Sequence, residues 1–352
     1  MNPFTPSKDY PPIVRDCNPK DYLALGRGDP AVVRGHPRWV MSRSELRRFA
    51  ECPSKWVQGT EQADTDALRY GNLIDCLYLN PSRFDELFLV APATFKAPES
   101  KKKDAPMVDK PWTWRSPVCR EWKEEQEAKG FQVVTGEEVA DAKRAVARMN
   151  EDPEIKEFRD CCNTAVGINV DYHDKATGLV IPCKMLLDLV PATGHRKFGK
   201  YLGDLKSAED ASPREWFRHV FKFGYHYQGA LYLDGYSAVR PDEDRRAFSH
   251  IVTESSAPFE PAKHFLGEEF IELGRNQYQR DLELYCQCIK RRFFPGYDYQ
   301  VTHSAIRPFA NGGWHLATPD ARMMEQAYLS TYEMPPEPTQ ATTEDEEGEV
   351  VP

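Results

Sequence analysis

The stretch that decides the predicted fold runs from residue 201 to residue 206 and reads Tyr-Leu-Gly-Asp-Leu-Lys. Its alternation of apolar and polar residues is typical of a β-strand, on which residues i and i+2 face the same side. Asp204 and Lys206 are therefore expected to project together. Upstream, residues 167–172 and 179–190 are rich in Val, Ile and Leu and flank a polar turn, which predicts a β-hairpin.

Helices are predicted on either side of these strands. Ser42 and Ser212 each precede a Glu by three residues, which is the pattern of a capping box at the start of a helix. The predicted helices cover residues 42–51, 65–79, 136–150, 212–236 and 274–292, and a fourth strand covers residues 248–253.

Three segments outside these elements have a different character. Residues 1–40 are rich in Pro and lack periodicity, so we expect an extended arm. Residues 91–117 show neither a helical nor a strand period and are expected to form a long loop insertion. Residues 335–352 combine Pro and Glu without apolar anchors, which predicts a disordered acidic tail. The globular domain is then expected at residues 41–334.

Composition narrows the class of protein. The 352 residues are 40% hydrophobic and 29% charged, and they contain no apolar run of about 20 residues that could span a membrane. Nine cysteines at irregular spacing argue against a disulfide framework, so we expect a cytoplasmic protein without a membrane partner. The net charge of −9 is concentrated in the tail, and therefore neither supports nor excludes a phosphate ligand.

The candidate chemistry lies on the central strands. Asp188 is near the end of one predicted strand, and Asp204 and Lys206 lie on the next. Two carboxylates and an ammonium would meet if these strands are neighbours. Carboxylate oxygens suit Mg²⁺ or Mn²⁺, which could hold a phosphate and activate a water molecule. The alternative is that Asp204 and Lys206 form an ordinary solvated ion pair.

Two other positions extend this hypothesis. Gln228 and Tyr232 are four residues apart on a predicted helix and share a face with Tyr225, where they could hold a sugar-phosphate backbone or simply pack in the core. Asp75 lies on a largely apolar helix. A buried carboxylate there is expensive unless it is paired or binds a metal, although Asp75 could also face solvent.

Taken in order, these blocks resemble the PD-(D/E)xK nuclease superfamily, and within it the RecE-like domain of exodeoxyribonuclease VIII. The resemblance covers residues 41–297. It rests on the opening helix Met41–Leu46 with Cys52 and Pro53, the block Gly71–Asp75, the pair Lys184 and Asp188, the strand Asp204–Ser207, and Gly224–His226 with Gln228 and Tyr232.

The resemblance implies an α/β, restriction-endonuclease-like fold with a mixed central sheet flanked by helices. It implies a metal site of Asp188, Asp204 and the Leu205 carbonyl, with Asp75 as a substitute ligand where the family usually has His. Lys206 would position the attacking water, and Gln228 and Tyr232 would hold the scissile strand.

The resemblance also implies an activity. Family members are Mg²⁺- or Mn²⁺-dependent exonucleases that degrade linear duplex DNA from 5′ to 3′ in phage-type recombination. They work beside a single-strand annealing protein in a bacterial or phage-infected cell and can form ring-shaped homo-oligomers.

Some alternatives stay open at this stage. A protein that keeps the fold, binds DNA ends and no longer cuts is the competing class, because Asp75 departs from the family pattern. Lys101–Lys103 with Trp112 and Trp114 could track DNA or could be a solvated loop. Three basic residues at i, i+4 and i+8 of one predicted helix could contact phosphates; they are Arg214, Arg218 and Lys222.

Overall fold

The computed structural model describes residues 2–59, 65–100 and 105–297, and the backbone of two short strands at 300–302 and 330–332. The predicted acidic tail at 335–352 and the basic run Lys101–Lys103 lie outside the described residues.

Strands and helices alternate along the described chain. The strands are β1 (Phe4–Pro6), β2 (Ile13–Val14), β3 (Met41–Ser42), β4 (Phe88–Val90), β5 (Thr94–Pro98), β6 (Met107–Pro111), β7 (Gln132–Val134), β8 (Cys162–His173), β9 (Val180–Pro191), β10 (Tyr201–Ala208), β11 (Ala247–Glu254), β12 (Pro261–Leu266), β13 (Gln300–Thr302) and β14 (Ser330–Tyr332). The α-helices are α1 (Pro19–Leu23), α2 (Arg43–Glu51), α3 (Pro53–Val57), α4 (Asp66–Leu79), α5 (Phe84–Leu87), α6 (Pro117–Ala128), α7 (Gly136–Glu151), α8 (Pro153–Asp160), α9 (Pro213–Lys222), α10 (Tyr225–Val239) and α11 (Glu268–Arg291).

A mixed sheet forms the centre of the described structure. Its strand order is β1-β8-β9-β10-β11-β12, with β2 added beside β8 and β3 beside β9. Most neighbours are antiparallel, but β10 and β11 are parallel, and so are β3 and β9. The predicted α/β fold with a mixed central sheet flanked by helices is therefore confirmed.

Most of the elements predicted around the site are also confirmed. The hairpin is β8 and β9, and residues 201–206 and 248–253 lie within β10 and β11. The helices predicted at 42–51, 65–79 and 136–150 correspond to α2, α4 and α7. Ser42 accepts a hydrogen bond from the Glu45 amide, as expected of an N-cap.

Helices cover both faces of the sheet. One apolar cluster joins strand residues such as Ile168 and Phe248 to Leu231 of α10 and Leu282 of α11. A second cluster joins Leu189 of β9, Leu205 of β10 and Ile251 of β11 to residues of α4, α7 and α8. β9, β10 and β11 therefore contribute apolar side chains to both clusters, one on each face of the sheet.

The Pro-rich first 40 residues contain β1, β2 and the short helix α1, and they are built into the domain. β1 and β2 pair with β8 in antiparallel register. The Phe4 side chain is buried and packs against the rings of Tyr172 and Tyr278. This segment therefore adds short edge strands to the sheet. Its apolar side chains are spaced irregularly among the prolines, so they show no strand period in the sequence.

The prediction of one helix over 212–236 is wrong. α9 ends at Lys222 and α10 begins at Tyr225, because Gly224 adopts a left-handed conformation with φ of 66°. Ser212 occupies the N-cap position of α9 but makes no side-chain capping bond. α9 is amphipathic, whereas α10 is buried on all of its faces, and apolar residues occur on both sides of the break.

The prediction of an irregular loop at 91–117 is also wrong. β5 and β6 pair in antiparallel register within this segment. The Phe95 and Trp112 rings meet edge to face across the hairpin, and Lys96 pairs with Asp109 at 2.9 Å. These cross-strand contacts stabilise a hairpin whose strands are too polar for the usual strand pattern.

Candidate metal and nucleic-acid site

The site lies where β9 and β10 separate. Within the described structure these strands pair at Gly203 and Leu189 alone. Beyond this point the Leu205 amide donates to the Asp188 carboxylate, at 3.0 Å, instead of to the backbone of β9. A side chain has replaced a sheet hydrogen bond, and this opens the space between the two strands.

Asp188 and Asp204 form a carboxyl pair at this opening. The two groups are close enough for each to shift the pKa of the other. Burial raises the pKa of Asp188 well above its usual range, and the charges of Asp204 and Asp75 add to the effect. Burial acts in the same sense on Asp204, but the Lys206 ammonium and several weaker favourable interactions together outweigh it, so the pKa of Asp204 is lowered. We therefore assign a proton to Asp188 and the negative charge to Asp204.

Lys206 neutralises this acidic group. Its ammonium forms an ion pair with Asp204 and donates to the Leu205 carbonyl at 3.1 Å. Burial alone would lower the pKa of Lys206, but Asp204 and Asp188 raise it well above its usual value. Asp204 and Lys206 thus lie on the same face of β10, as the i, i+2 spacing predicts. The alternative of a solvated pair is wrong, since Asp204 is 2% exposed.

Helix α10 supplies two of the predicted residues. Gln228 Nε2 donates to Asp204 Oδ1 at 2.7 Å, so the amide orients this carboxylate. Tyr232 is one turn further along the same helix and is buried. Burial, followed by the charge of Asp204, raises the pKa of the Tyr232 phenol, which therefore stays protonated and able to donate a hydrogen bond.

Asp75 reaches the site from α4, on the other side of the opening. Gly71 lets this helix approach β10, because a Cβ at this position would lie 3.2 Å from Ser207 Oγ. Burial raises the pKa of Asp75 to about 7, with Lys206 lowering it and Asp204 raising it. Asp75 does not simply face solvent, because it is partly buried and interacts electrostatically with the Asp204 and Lys206 side chains.

The side chains predicted from the sequence therefore meet. Asp75, Lys206, Gln228 and Tyr232 line one open pocket of about 520 Å³, together with Leu205. Asp188 and Asp204 lie next to its Lys206 wall through the contacts above. The pocket separates α4 from α10, and the separated strands form its floor.

Two basic residues line the pocket wall: Arg43, which received no role from the sequence, and Lys184, which was paired with Asp188 in the resemblance to the nuclease superfamily. The Arg43 guanidinium donates to the carbonyls of Phe223 and Gly224, the latter at 3.0 Å. An arginine in the first turn of α2 opposes the helix dipole, and that unfavourable placement was the signal available in the sequence. Lys184 is 2% exposed and donates to the Leu25 carbonyl at 2.9 Å, and burial lowers its pKa to about 8.

His250 is another residue that the sequence did not reveal. It lies directly opposite Asp204 in the parallel pairing of β10 and β11. Its ring is fully buried, with neither nitrogen hydrogen-bonded within the described structure. Burial lowers its pKa to about 3, so the imidazole is neutral. Only the register of the sheet brings it to the site, and the sequence does not encode register in a readable form.

The donor atoms fit a hard cation, although the part of the chain that the structure describes holds no cluster of three His, Cys, Asp or Glu side chains arranged as a metal centre. The candidate ligands are the carboxylates of Asp188 and Asp204 and the carbonyl of Leu205, all oxygens of the kind that Mg²⁺ and Mn²⁺ prefer. The Lys206 ammonium already lies on two of these oxygens. The site therefore accommodates a positive charge. A bound cation would compete with the Lys206 ammonium for the Asp204 and Leu205 oxygens.

The fold and the strand carrying Asp204, Leu205 and Lys206 define a domain of the PD-(D/E)xK nuclease superfamily. Residues 41–302 match the family described as "PDDEXK-like domain of unknown function (DUF3799)", and the chain belongs to that family. No curated protein matches the chain.

Two solved structures are distantly similar. One, described as a "putative exonuclease" from Eubacterium rectale, is 14% identical with a TM-score of 0.44, and the match covers 72% of this chain and 82% of that one. The other is Rai1 from Scheffersomyces stipitis in complex with (3'-NADP)+ and calcium ion, 12% identical with a TM-score of 0.26, covering 70% and 65% of the two chains. Both likenesses are too weak to bear on function.

In the described residues, no helix combines the length and apolar character needed to cross a membrane.

Proposed function

We propose that this protein is a metal-dependent exodeoxyribonuclease that hydrolyses phosphodiester bonds of linear duplex DNA. The single observation that carries the proposal is the meeting of Asp188, Asp204 and Lys206 at the opening between β9 and β10. Two carboxylates, a carbonyl and an ammonium beside an open pocket are the groups needed to hold a cation and a phosphate.

Each residue has a role that follows from its contacts. Asp188, Asp204 and the Leu205 carbonyl would hold Mg²⁺ or Mn²⁺, with Asp75 as a further ligand from the opposite wall. A cation held there supplies a Lewis acid that polarises the phosphate and makes a water molecule more acidic. Asp188, whose pKa is raised, must lose its proton before it can act as a ligand.

The remaining groups orient the reactants. The Lys206 ammonium would move from Asp204 and Leu205 to the attacking water, which it positions by hydrogen bonding. Gln228 keeps the Asp204 carboxylate in place through its 2.7 Å bond and, with Tyr232, faces the space where the scissile strand would lie. Both side chains are buried and so pre-oriented before the substrate binds.

The biological context is proposed on the resemblance to RecE-like exonucleases. We infer degradation from 5′ to 3′ that leaves a 3′ single strand, action in phage-type recombination beside a single-strand annealing protein, assembly into a homo-oligomer, and a cytoplasmic location in a bacterial or phage-infected cell.

Linear duplex DNA labelled at either the 5′ or the 3′ end tests the activity, polarity and metal requirement together, with Mg²⁺, Mn²⁺ or EDTA. We expect Lys206→Ala and Asp204→Asn each to slow degradation by at least about 100-fold. The matched controls are Lys156→Ala and Asp160→Asn, which alter an exposed Lys–Asp pair on α8. Full activity in either site variant would remove this site from the mechanism.

A second candidate is a DNA-end-binding protein that does not cut. The observation that favours it is the Lys206 ammonium, which already neutralises the Asp204 and Leu205 oxygens that a cation would need. Binding of DNA ends without degradation under either metal would support this function.

A further inference from the structure

An exposed aromatic ring lies at the mouth of the proposed catalytic pocket. Phe223 is 42% exposed and lines the pocket together with Lys206, Tyr225 and Gln228. A single exposed phenylalanine is unremarkable elsewhere on a surface. Beside a pocket that is proposed to bind a DNA strand, it offers a flat surface to an incoming base.

The backbone fixes this ring in place. Phe223 occupies the break between α9 and α10, where Gly224 turns the chain with its φ of 66°. Arg43, from α2, donates to the carbonyls of both residues. A side chain held on a turn that is anchored from another helix loses little freedom on binding, which favours its use as a contact surface.

A row of contacting side chains connects Phe223 to the catalytic lysine. The Phe223 and Tyr225 ring centroids are 5.7 Å apart, and Tyr225 stacks on Trp216 at 5.0 Å. Lys206 Nζ lies 5.6 Å from the centroid of the Tyr225 ring. Phe223 itself meets its neighbours at 35° and 68°, so neither of these rings stacks parallel to it.

Basic side chains on α9 lie on the same side of the pocket as the Phe223 ring. The Lys222 ammonium is 5.0 Å from the Phe223 ring centroid, and Lys222 and Arg214 are both exposed on α9. Arg218, between them, is paired with Glu215. Within the described residues neither Arg214 nor Lys222 has a carboxylate at ion-pair distance. Phosphates next to a base stacked on Phe223 would find cations on this side of the pocket.

We propose that Phe223 is a stacking platform for an unpaired DNA base at the strand end that enters the pocket. The inference rests on the proposed function, which identifies the ligand as DNA. It adds that the nucleotide at the pocket mouth is unpaired when the strand enters. In a duplex the neighbouring pairs cover both faces of every base except the outer face of the terminal pair, whereas an unpaired base is free to lie against the ring, so the platform stabilises a frayed end over a closed one.

The test measures binding without hydrolysis. Single-stranded oligodeoxynucleotides carrying 2-aminopurine at successive positions from the 5′ end are titrated with the protein in EDTA, and both anisotropy and fluorescence quenching are recorded. We expect quenching at one position with the wild type and with Phe223→Trp, and its loss with Phe223→Leu. We also expect Phe223→Leu to weaken binding about 5- to 100-fold.

An abasic nucleotide provides the decisive comparison. Placed at the quenched position, it is expected to weaken wild-type binding to the level of Phe223→Leu and to leave that variant unaffected. The matched control is Phe265→Leu, an exposed aromatic of β12 outside this pocket. Equal affinity of wild type and Phe223→Leu, an undiminished quench in the variant, or no binding by the wild type would each overturn the inference.

The two proposals can fail separately. Position-specific quenching that depends on Phe223, in a protein that degrades no DNA with either metal, would support the platform and refute only the hydrolysis. Conversely, wild-type hydrolysis that Phe223→Leu leaves unchanged on both flush and frayed ends would refute the platform and retain the nuclease.

Discussion

Replacing Asp75 by Asn should make the metal-free protein more stable and the enzyme less active. The pKa of this carboxyl is about 7 in the folded protein, against 3.8 for an ordinary Asp, and burial is the main cause. At about 1.4 kcal/mol per pKa unit, the difference corresponds to about 4 kcal/mol. Asp75 lines an open pocket and is only partly buried, so water screens part of this electrostatic cost. We therefore expect Asp75→Asn to raise the free energy of unfolding by about 2 to 4 kcal/mol.

The pH dependence follows from the sign of the shift. Below about pH 4 the carboxyl is protonated in both the folded and the unfolded chain, and Asp75→Asn changes little. Between about pH 4 and pH 7 the unfolded chain has released the proton that the folded protein still holds, so the wild type loses stability as the pH rises. Above about pH 7 the folded wild type carries the full free-energy cost of the buried charge, and the stability gained by Asp75→Asn is constant.

Urea unfolding in EDTA at pH 4.5 and at pH 8 measures this difference, with Asp160→Asn as an exposed control on α8. Asp75→Asn should gain stability over the wild type at pH 8 and much less at pH 4.5. An equal effect at both pH values would refute the electrostatic reasoning. The same variant should lose nuclease activity if Asp75 is a ligand, since an amide is a weaker donor to Mg²⁺.

Three further predictions concern other parts of the molecule. Glu45→Gln should lower the free energy of unfolding by about 3 to 5 kcal/mol in urea titrations, because the buried Glu45 is the counterion of three arginines, and a loss below 1 kcal/mol would contradict this. Gly224→Ala should cost about 1 to 2 kcal/mol because of the left-handed backbone, with Gly224→Asn costing less, and equal stability of all three proteins would refute the strain. Mn²⁺ at 100 times its dissociation constant should raise the free energy of unfolding by about 2.7 kcal/mol in a thermal-shift series, and Asp204→Asn should abolish the rise; an equal rise in that variant would place the ion elsewhere.

Much of the site could be predicted because its signals are local. The spacing of Asp204 and Lys206 on an apolar strand fixes a common face, and the four-residue spacing of Gln228 and Tyr232 does the same on a helix. These faces survive in the structure, where Gln228 bonds to Asp204. The family match covers residues 41–302, and these motifs lie within that range.

Other features were not readable because they depend on contacts between distant segments. The break at Gly224 interrupts an apolar pattern that continues across it, and Arg43, far away in sequence, is bound to the carbonyls there. The β5–β6 hairpin is stabilised by cross-strand rings and charges rather than by an apolar face. Arg43 lies far from Gly224 in the sequence, and the polar strands of the hairpin lack the apolar alternation that predicts a strand.

The sequence by itself determined the strand with its acid and lysine on one face, the hairpin before it, and the faces of the flanking helices, because side-chain direction follows from backbone periodicity. The tertiary structure decided which of these faces meet. Separation of β9 from β10 brings Asp188 to Asp204, and the approach of α4 at Gly71 brings in Asp75. Desolvation and mutual repulsion then set the protonation of these acids, and both depend on packing that arises only when the whole chain has folded.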